Sequence, residues 1–215
     1  MDGQNFQLDL GHEVRLSKVN PKMIPVTALL TNDSGISHDP IQRDIFSPIF
    51  MGGELICPAR ENIAHERLAE WFRDHKPDAA HLTPAMGQIL CGGAKAEFPS
   101  LKWVLYVGDI LTKKDCVALR KLAPNAEICA AYGTTETSRS VSYYHIKSHA
   151  EDPNALDKFG DIVPAGKGIE NVQLLVVNRE DPTKLCGVGE VGELMLRAAG
   201  LAEISLPFLF LIESC

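Results

Sequence analysis

The stretch WVLYVGDILTKKDCVALRKLAPNAEICAAYGTTE, from Trp103 to Glu136, contains a complete strand–helix–strand unit and decides the predicted fold. Its first five residues form an unbroken apolar run, which is typical of a strand buried on both faces. Thr112 is a suitable N-cap for a helix that runs to about Leu122. A second strand is predicted at 128–131. Two strands joined through a helix indicate a parallel pair.

The same alternation of strands and helices is predicted upstream of this unit. Asp39 before Pro40 is a good N-cap, and apolar residues follow it at helical spacing. Further strands are predicted at 54–57 and 79–82, and further helices at 62–75 and 84–90. The predicted fold class is therefore α/β, with a mainly parallel sheet and flanking helices over residues 35–160. Residues 1–34 show no clear period and are predicted to be irregular.

The sequence changes character after about Asp161, where a β-rich C-terminal appendage is predicted over residues 161–203. Its strands are predicted at 172–177 and 191–196. Residues 187–192 read G-x-G-x-x-G, but the dinucleotide fingerprint requires a helix after it, and here a strand follows. We interpret these residues as a hairpin turn. Residues 204–215 fit neither pattern and are left as an unassigned tail.

The composition argues against several classes of function. The 215 residues carry a formal net charge of -7 without a basic stripe, so we expect no nucleic-acid partner. None of the six cysteines forms a C-x-x-C pair, which favours idle thiols in a reducing compartment over a zinc site or a disulfide framework. The apolar run at 206–212 is far shorter than the roughly 20 residues that span a bilayer. We expect a cytoplasmic protein without a membrane partner.

The segment Tyr132-Gly133-Thr134-Thr135-Glu136 combines residue types that suit a nucleotide. It follows a buried strand, where open α/β sheets bind ligands. Tyr132 offers a flat face to a purine ring, and Gly133 allows the backbone to approach closely. The two threonines offer hydroxyls to phosphate oxygens, and Glu136 is a hard oxygen ligand suited to Mg²⁺. The alternative is a capped turn in which Thr135 begins a helix.

Three polar residues stand among apolar neighbours or close to this segment. Arg43 lies within the helix that opens at Pro40, His81 interrupts an apolar strand, and Arg139 follows the Tyr132 segment. If they face one pocket they form a cationic wall, and arginine pairs with a carboxylate through two hydrogen bonds. The alternative is a surface salt bridge for each arginine and a satisfied core imidazole for His81.

These motifs resemble those of the adenylate-forming enzymes, a family that includes nonribosomal peptide synthetase adenylation domains and acyl-CoA ligases. Residues 132–136 resemble the family's Tyr-Gly-x-Thr-Glu signature. His38-Asp39, with Phe46 and Gly52-Gly53 behind it, resembles the start of the family's substrate pocket. Residues 187–202 resemble its Gly-Glu-Leu…Gly-Leu-Ala element. The resemblance implies a carboxylate-activating reaction that uses ATP and Mg²⁺.

Within that family, residues from about Ser34 to Glu203 are similar to the fungal L-2-aminoadipate reductases of lysine biosynthesis. The similarity rests on residues 38–46, 81–88, 107–112 and 133–137. It implies that ATP activates the δ-carboxyl of L-2-aminoadipate as an acyl-adenylate. It also implies that a phosphopantetheine arm accepts the acyl group and that NADPH reduces the thioester. The implied partners are 2-aminoadipate and the carrier and reductase domains of a parent chain.

The same resemblance implies a role for each residue of the site. Asp39 would hold the substrate amino group, and the cationic residues would balance the carboxylate that does not react. The ATP-binding residues would be Gly108, Asp109, Ile110, Tyr132, Gly133, Thr134 and Thr135, with Glu136 as the Mg²⁺ ligand. The substrate-binding residues would be Asp39, Pro40, Arg43, His81, Leu105, Val107, Ala131, Arg139 and Ser140.

The sequence also departs from the family pattern. It has no counterpart of the Gly/Ser/Thr-rich phosphate loop upstream of His38, of the ribose-binding aspartate or of the small domain that carries the catalytic lysine. No catalytic residue is therefore assigned. Both ends are what a truncated or mis-joined gene model would give, so we expect an inactive fragment in isolation. Two alternatives stay open: a non-catalytic binding module, and an adenylation domain for a different carboxylic or amino acid.

Overall fold

The computed structural model of the protein describes residues 26–29, 54–56, 58, 67–137, 139–198 and 201. Seven of its strands are β1 (Val26–Leu29), β2 (Glu54–Ile56), β3 (Ala79–Leu82), β4 (Trp103–Tyr106), β5 (Glu127–Thr134), β6 (Arg139–Ile146) and β7 (Lys167–Gly168). They form one sheet in the order β2-β1-β3-β4-β5-β6-β7. The first five strands in this order are parallel, and β6 and β7 are antiparallel. The predicted α/β fold with a mainly parallel sheet is confirmed.

Three helices pack against one face of this sheet. They are α1 (Leu68–His75), α2 (Pro84–Gly92) and α3 (Lys113–Leu122). Strand residues alternate between the two faces, and the alternate residues that join the helices in one buried cluster are Ala80, Leu82, Val104, Tyr106, Ile128 and Ala130. Among the described residues, no helix is long and apolar enough to cross a membrane.

Close packing of α2 on β4 depends on a glycine. A Cβ atom at Gly87 would lie 2.4 Å from the hydroxyl oxygen of Tyr106. That separation is far below van der Waals contact, so only glycine lets the helix approach the buried tyrosine ring at this distance. Gly87 thus has a packing role, since it lets α2 lie close to the end of β4.

The first turn of α3 is held by a buried carboxylate. Asp115 accepts hydrogen bonds from the Thr112 N–H at 3.1 Å and from the Gln88 side-chain amide at 2.9 Å. The Asp115 N–H in turn donates to the Thr112 hydroxyl at 3.3 Å, which completes a capping box. Burial opposes ionisation of Asp115, but these hydrogen bonds outweigh it, so the pKa of the carboxyl lies below its usual value. Asp115 therefore ties α3 to α2.

A separate two-stranded antiparallel sheet follows, made of β8 (Val172–Val177) and β9 (Glu193–Ala198). One of its faces is wholly apolar and comprises Val172, Leu174, Val176, Leu194, Leu196 and Ala198. Residues 187–192 lie between the two strands, and the Gly187 N–H donates to a Glu190 carboxylate oxygen at 2.8 Å. The predicted C-terminal β-rich part and the turn at these glycines are confirmed.

Several predicted boundaries need correction. Val26–Leu29 is a strand, although residues 1–34 were expected to be irregular; it pairs with β2 and β3, so its partners stabilise it without a sequence period of its own. Strand β5 does not end before Tyr132 but continues to Thr134, because β6 provides an antiparallel partner. The helix predicted to begin at Pro40 and the residues 204–215 lie outside the described residues, as does the start of the predicted helix 62–75.

Replacing Asp115 with alanine should lower the free energy of unfolding by about 2 kcal/mol at pH 7, because a buried helix cap and its partners lose their hydrogen bonds. Asp157→Ala is the matched control, since Asp157 is exposed and pairs with Lys113 at 3.4 Å; we expect a change within about 0.5 kcal/mol. Urea denaturation measures both. Equal effects of the two substitutions would contradict the assigned role of Asp115.

The stabilisation by Asp115 should also depend on pH. Since the pKa of this carboxyl is lowered in the folded state, its contribution is complete above the unfolded-state pKa of about 3.9 and is lost as the pH falls through the lower folded-state pKa. The difference in stability between the wild-type chain and Asp115→Ala should therefore shrink in acid. A difference that grows in acid would reverse the sign of this linkage.

Candidate functional site

The carboxyl ends of β3, β4 and β5 lie side by side at one edge of the sheet. In-register pairing places Leu82 beside Tyr106, and Tyr106 beside Ala130. The Val107 N–H donates to the Leu82 carbonyl oxygen at 3.1 Å, so the pairing continues beyond β4. This edge is where open α/β sheets bind ligands. The two predicted nucleotide-binding segments leave the sheet here on neighbouring strands.

The turn between β5 and β6 carries the predicted purine, phosphate and metal contacts. Tyr132, Gly133 and Thr134 are half-buried, whereas Thr135 and Glu136 are exposed. Residues Thr135–Thr137 form a single 3-10 turn, so the alternative of a turn in which Thr135 begins a helix agrees with the backbone here, and the nucleotide contacts stay a prediction. Burial, and to a smaller extent the negative charge of Glu136, raises the pKa of the Tyr132 phenol. The aromatic ring and the carboxylate therefore lie within electrostatic range of each other.

The segment after β4 leaves the same edge of the sheet as β5. Gly108 has a φ of 97°, a backbone conformation that favours glycine. The Asp109 carboxylate accepts the Ile110 N–H at 2.7 Å, and the Ile110 side chain is 45% exposed. If the Tyr106–Ala130 register is continued by two residues, Gly108 falls opposite Tyr132. The predicted adenine-bordering residues and the predicted stacking residue thus leave neighbouring strands at the same edge of the sheet, and their contact with one purine ring stays a prediction.

Several of the predicted substrate-binding residues share the sheet face opposite α1, α2 and α3. His81 pairs with Leu105, and both alternate with residues that face the helices. Val107 and Ala131 directly follow the last registered pair, Tyr106 and Ala130, and alternation directs both away from the helices. His81 is 9% exposed, so its imidazole is largely buried. The structure thus groups these four side chains on one surface beside the nucleotide segments.

A β-bulge in β6 decides which further side chain joins this face. Tyr132 pairs with Ser142 and Gly133 pairs with Ser140, so Val141 is the extra residue. An extra residue reverses the alternation, which puts Ser140 on the face of Ala131. Ser140 is 3% exposed, and its hydroxyl finds no hydrogen-bond partner among the described residues. A buried hydroxyl of this kind is suited to a polar ligand, since leaving it unpaired is costly.

The remaining predicted pocket residues fall outside what the structure describes. Asp39, Pro40 and Arg43 belong to undescribed segments. The backbone of Arg139 lies in β6 opposite Thr134, but its side chain is not described. The cationic wall of Arg43, His81 and Arg139 therefore stays a prediction, of which only the His81 position is observed.

Two residues of the site were missed by sequence reasoning. Cys129 pairs with Leu105 on the sheet face opposite the helices, and burial raises the pKa of its thiol to about 11, so the thiol is neutral at pH 7. Cys129 lies two residues before Ala131 in a predicted strand, so both side chains are expected on the same face. That spacing could have identified Cys129 from the sequence. Thr137 is the second residue: its hydroxyl bonds to Thr134, and nothing in the sequence pattern distinguished it from its threonine neighbours.

Comparison with known proteins identifies the family. The family of AMP-binding enzymes matches residues 32–204, which is most of the chain. The chain belongs to the AMP-binding enzyme family. Its relatives in this family include the L-2-aminoadipate reductase large subunit of Penicillium chrysogenum, 58% identical over 170 residues, and the L-2-aminoadipate reductase of Saccharomyces cerevisiae, 56% identical over 171 residues. Each alignment covers 79% of this chain but 12% of the relative, so the chain spans about an eighth of these proteins.

Solved structures of other proteins show the same fold at lower sequence identity. The nonribosomal peptide synthetase FmoA3 aligns with a TM-score of 0.69 at 22% identity, over 84% of this chain and 19% of its own. The N-terminal subdomain of NpsA from Klebsiella oxytoca aligns with a TM-score of 0.61 at 22% identity, over 83% of this chain and 43% of its own. The described part therefore has the fold of an adenylation N-terminal subdomain.

The AMP-binding family implies ATP and usually Mg²⁺, and the residues of the turn suit such an ion. Among the described residues, no group of three or more His, Cys, Asp or Glu side chains could hold a metal by itself. Magnesium usually binds through one or two carboxylates together with substrate phosphates and water. The exposed Glu136, next to the hydroxyls of Thr134 and Thr135, fits that mode of binding.

Replacing Glu136 with glutamine should lower the pKa of Tyr132 towards its usual value, because the negative charge that disfavours the phenolate is removed. Burial persists, so part of the elevation should remain. NMR titration of the tyrosine ring carbons measures the effect. Glu151→Gln is the control, since Glu151 pairs with Lys147 at the opposite end of β6 and should leave Tyr132 unchanged. An unaltered Tyr132 pKa in Glu136→Gln would contradict an electrostatic interaction between the two residues.

Proposed function

We propose that this chain is part of an adenylation domain that uses ATP to activate the δ-carboxyl of L-2-aminoadipate. The observation that supports this substrate is the identity of 58% and 56%, over 79% of the chain, to proteins named for 2-aminoadipate. Relatives that act on other acids are far more distant; for example, the cyclosporin synthetase of Tolypocladium inflatum is 26% identical over 180 residues. The substrate assignment thus follows the large gap in identity.

The proposed pocket suits a substrate with two carboxylates and one amino group. Asp39 would pair with the amino group. Arg43 and Arg139 would pair with the carboxylate that does not react, since a guanidinium binds a carboxylate through two parallel hydrogen bonds. Its other proposed lining residues are Pro40, His81, Leu105, Val107, Ala131 and Ser140. The apolar side chains of Leu105, Val107 and Ala131 suit the methylene chain between the charged ends of 2-aminoadipate.

The proposed reaction is an in-line attack of the substrate carboxylate on the α-phosphorus of ATP, with pyrophosphate as the leaving group. It needs positioning and charge neutralisation more than a protein nucleophile. Tyr132 would stack on adenine, with Gly108, Asp109 and Ile110 along its edge, while Gly133, Thr134 and Thr135 would lie along the phosphates. Glu136 would hold Mg²⁺, which supplies charge neutralisation at the phosphates. A lysine outside this chain would complete the site.

The later steps belong to a longer parent protein, because this chain spans 12% of its relatives. Phosphopantetheine on a carrier domain would accept the acyl group, and NADPH on a reductase domain would reduce the thioester. We propose a cytoplasmic location, and the net charge of -7 argues against a nucleic-acid partner. The chain alone would bind but not turn over its substrates.

The isolated chain should show no aminoadipate-dependent exchange of pyrophosphate into ATP, whereas calorimetry should detect binding of Mg·ATP or 2-aminoadipate. Exchange is a sensitive readout of adenylate formation, and calorimetry tests the pocket without turnover. The comparison ligand is adipate, which lacks the amino group that Asp39 would bind. Measurable exchange would show that the chain is complete for catalysis. The absence of all binding would refute a preformed site.

The substrate pocket can be tested in a full-length enzyme by exchanging residues 34–203 into the Saccharomyces relative. Arg43→Ala and Arg139→Ala should each weaken the preference for 2-aminoadipate over an amino acid with an uncharged side chain, by about tenfold or more in kcat/KM for exchange. Arg179→Ala is the matched control, since Arg179 is exposed in the turn after β8. Preserved selectivity in both pocket variants would rule out the cationic pocket.

A further inference from the structure

Thr137 makes an unusual pair of hydrogen bonds with one neighbouring residue. Its hydroxyl donates to the Thr134 carbonyl oxygen at 2.7 Å and accepts the Thr134 N–H at 3.1 Å. Both main-chain polar groups of Thr134 therefore bond to the same side-chain oxygen. Thr137 is 2% exposed, so its hydroxyl is shielded from water. A hydrogen bond contributes more in such a buried place than on the surface.

These bonds lie inside a short connection between antiparallel strands. Thr134 is the last residue of β5 and pairs with Arg139, the first residue of β6. The 3-10 turn Thr135–Thr137 joins them. Thr137 points into the protein, whereas Thr135 and Glu136 point out to solvent. The buried threonine thus anchors the turn from within, beneath the two residues that are exposed.

We propose that Thr137 is a positioning residue for the nucleotide and metal contacts of this turn, an inference that rests on the proposed function. Because its hydroxyl bonds to both the N–H and the carbonyl oxygen of Thr134, the turn offers an incoming phosphate or metal ion the hydroxyls of Thr134 and Thr135 and the Glu136 carboxylate. The same two bonds fix where Glu136 stands relative to the end of β5. Preorganisation of this kind raises affinity because fewer groups have to be ordered on binding.

Without the Thr137 hydroxyl, the N–H and the carbonyl oxygen of the half-buried Thr134 would each lose a hydrogen bond. A turn in that state would either open to water or bend towards the ligand, and both changes would displace Glu136. A purely structural threonine would affect global stability alone. A positioning threonine must in addition change the local exposure of Thr134 and the binding of the metal–nucleotide pair.

The variants that separate these roles differ by single groups. Thr137→Val keeps the shape and removes the hydroxyl, whereas Thr137→Ser keeps the hydroxyl and removes the methyl group. If the valine variant fails to fold, Thr137→Ala compared with Thr137→Ser isolates the hydroxyl again. Thr183→Val is the remote control, because Thr183 also donates its hydroxyl within a turn, to Asp181 at 2.5 Å, but in the β8–β9 connection.

Two measurements on the 215-residue chain test the inference: NMR-detected exchange of the Thr134 amide hydrogen, and the Kd for Mg·ATP by calorimetry. In Thr137→Val we expect amide exchange to accelerate and the Kd to rise about ten- to a hundredfold, the range expected for a lost buried hydrogen bond. Thr137→Ser should restore both values to within about threefold, given that it keeps the hydroxyl. Thr183→Val should change neither.

Unchanged Thr134 exchange in Thr137→Val would overturn the proposal, and so would faster exchange with an unaltered Kd. Failure of the wild-type chain to bind Mg·ATP would instead count against the proposed function. In that case the same valine and serine variants, placed in the full-length chimera with residues 34–203, decide the matter by the KM for ATP in pyrophosphate exchange. A raised KM that serine restores supports the proposal, and an unchanged KM overturns it.

Discussion

The in-register parallel pairing of β3, β4 and β5 is the constraint on which the rest of this structure depends. Leu82, Tyr106 and Ala130 stand in one row across three strands, so the strands end together and the segments after them leave from one edge. A shift of a single residue in β4 would turn Leu105 towards the helices and Tyr106 towards the opposite face of the sheet. The packing of α2 on Tyr106 through Gly87 opposes such a shift, because the shift would take the buried ring away from the helix. Register and helix packing therefore reinforce each other.

Because of this arrangement, the two faces of the sheet have different roles. The face that holds α1, α2 and α3 supplies stability through a continuous buried cluster. The other face, at the same edge, carries His81, Leu105 and Ala131, which make little contribution to that cluster. The Asp115 carboxylate links α2 to α3 directly behind the segment that contains Gly108. A rigid scaffold on one face thus supports the proposed binding groups on the other, as is usual for sites built at strand ends.

Much of the fold could be predicted because its signals are local. The apolar run at β4, the Thr112 cap and the glycine turns all act within a few residues, and each was found in the structure. The strands that escaped prediction depend on partners distant in sequence. Val26–Leu29 pairs with β2 and β3, and β6 contains the buried serines Ser140 and Ser142, which no hydrophobic alternation would reveal. The nucleotide segments could be predicted from residue chemistry and resemblance, whereas the role of Thr137 depends on the path of the turn. Asp39 and Arg43 remain predictions from sequence.

The bulge at Val141 has a consequence for how such a pocket can diverge. Because the extra residue sets the phase of β6, deleting one codon between Glu136 and Ser140 would pair Val141 with Gly133 in place of Ser140, which would present Val141 on the face of the predicted pocket and turn Ser140 towards the helices. A polar wall would become apolar in a single genetic event, without any base change in the codon of a lining residue. Sequence alignments that compare lining residues position by position assume that each position of this strand always lies on the same face of the sheet. Length variation between the Tyr132 turn and Tyr143 is therefore as informative about ligand preference as the identity of the residues themselves.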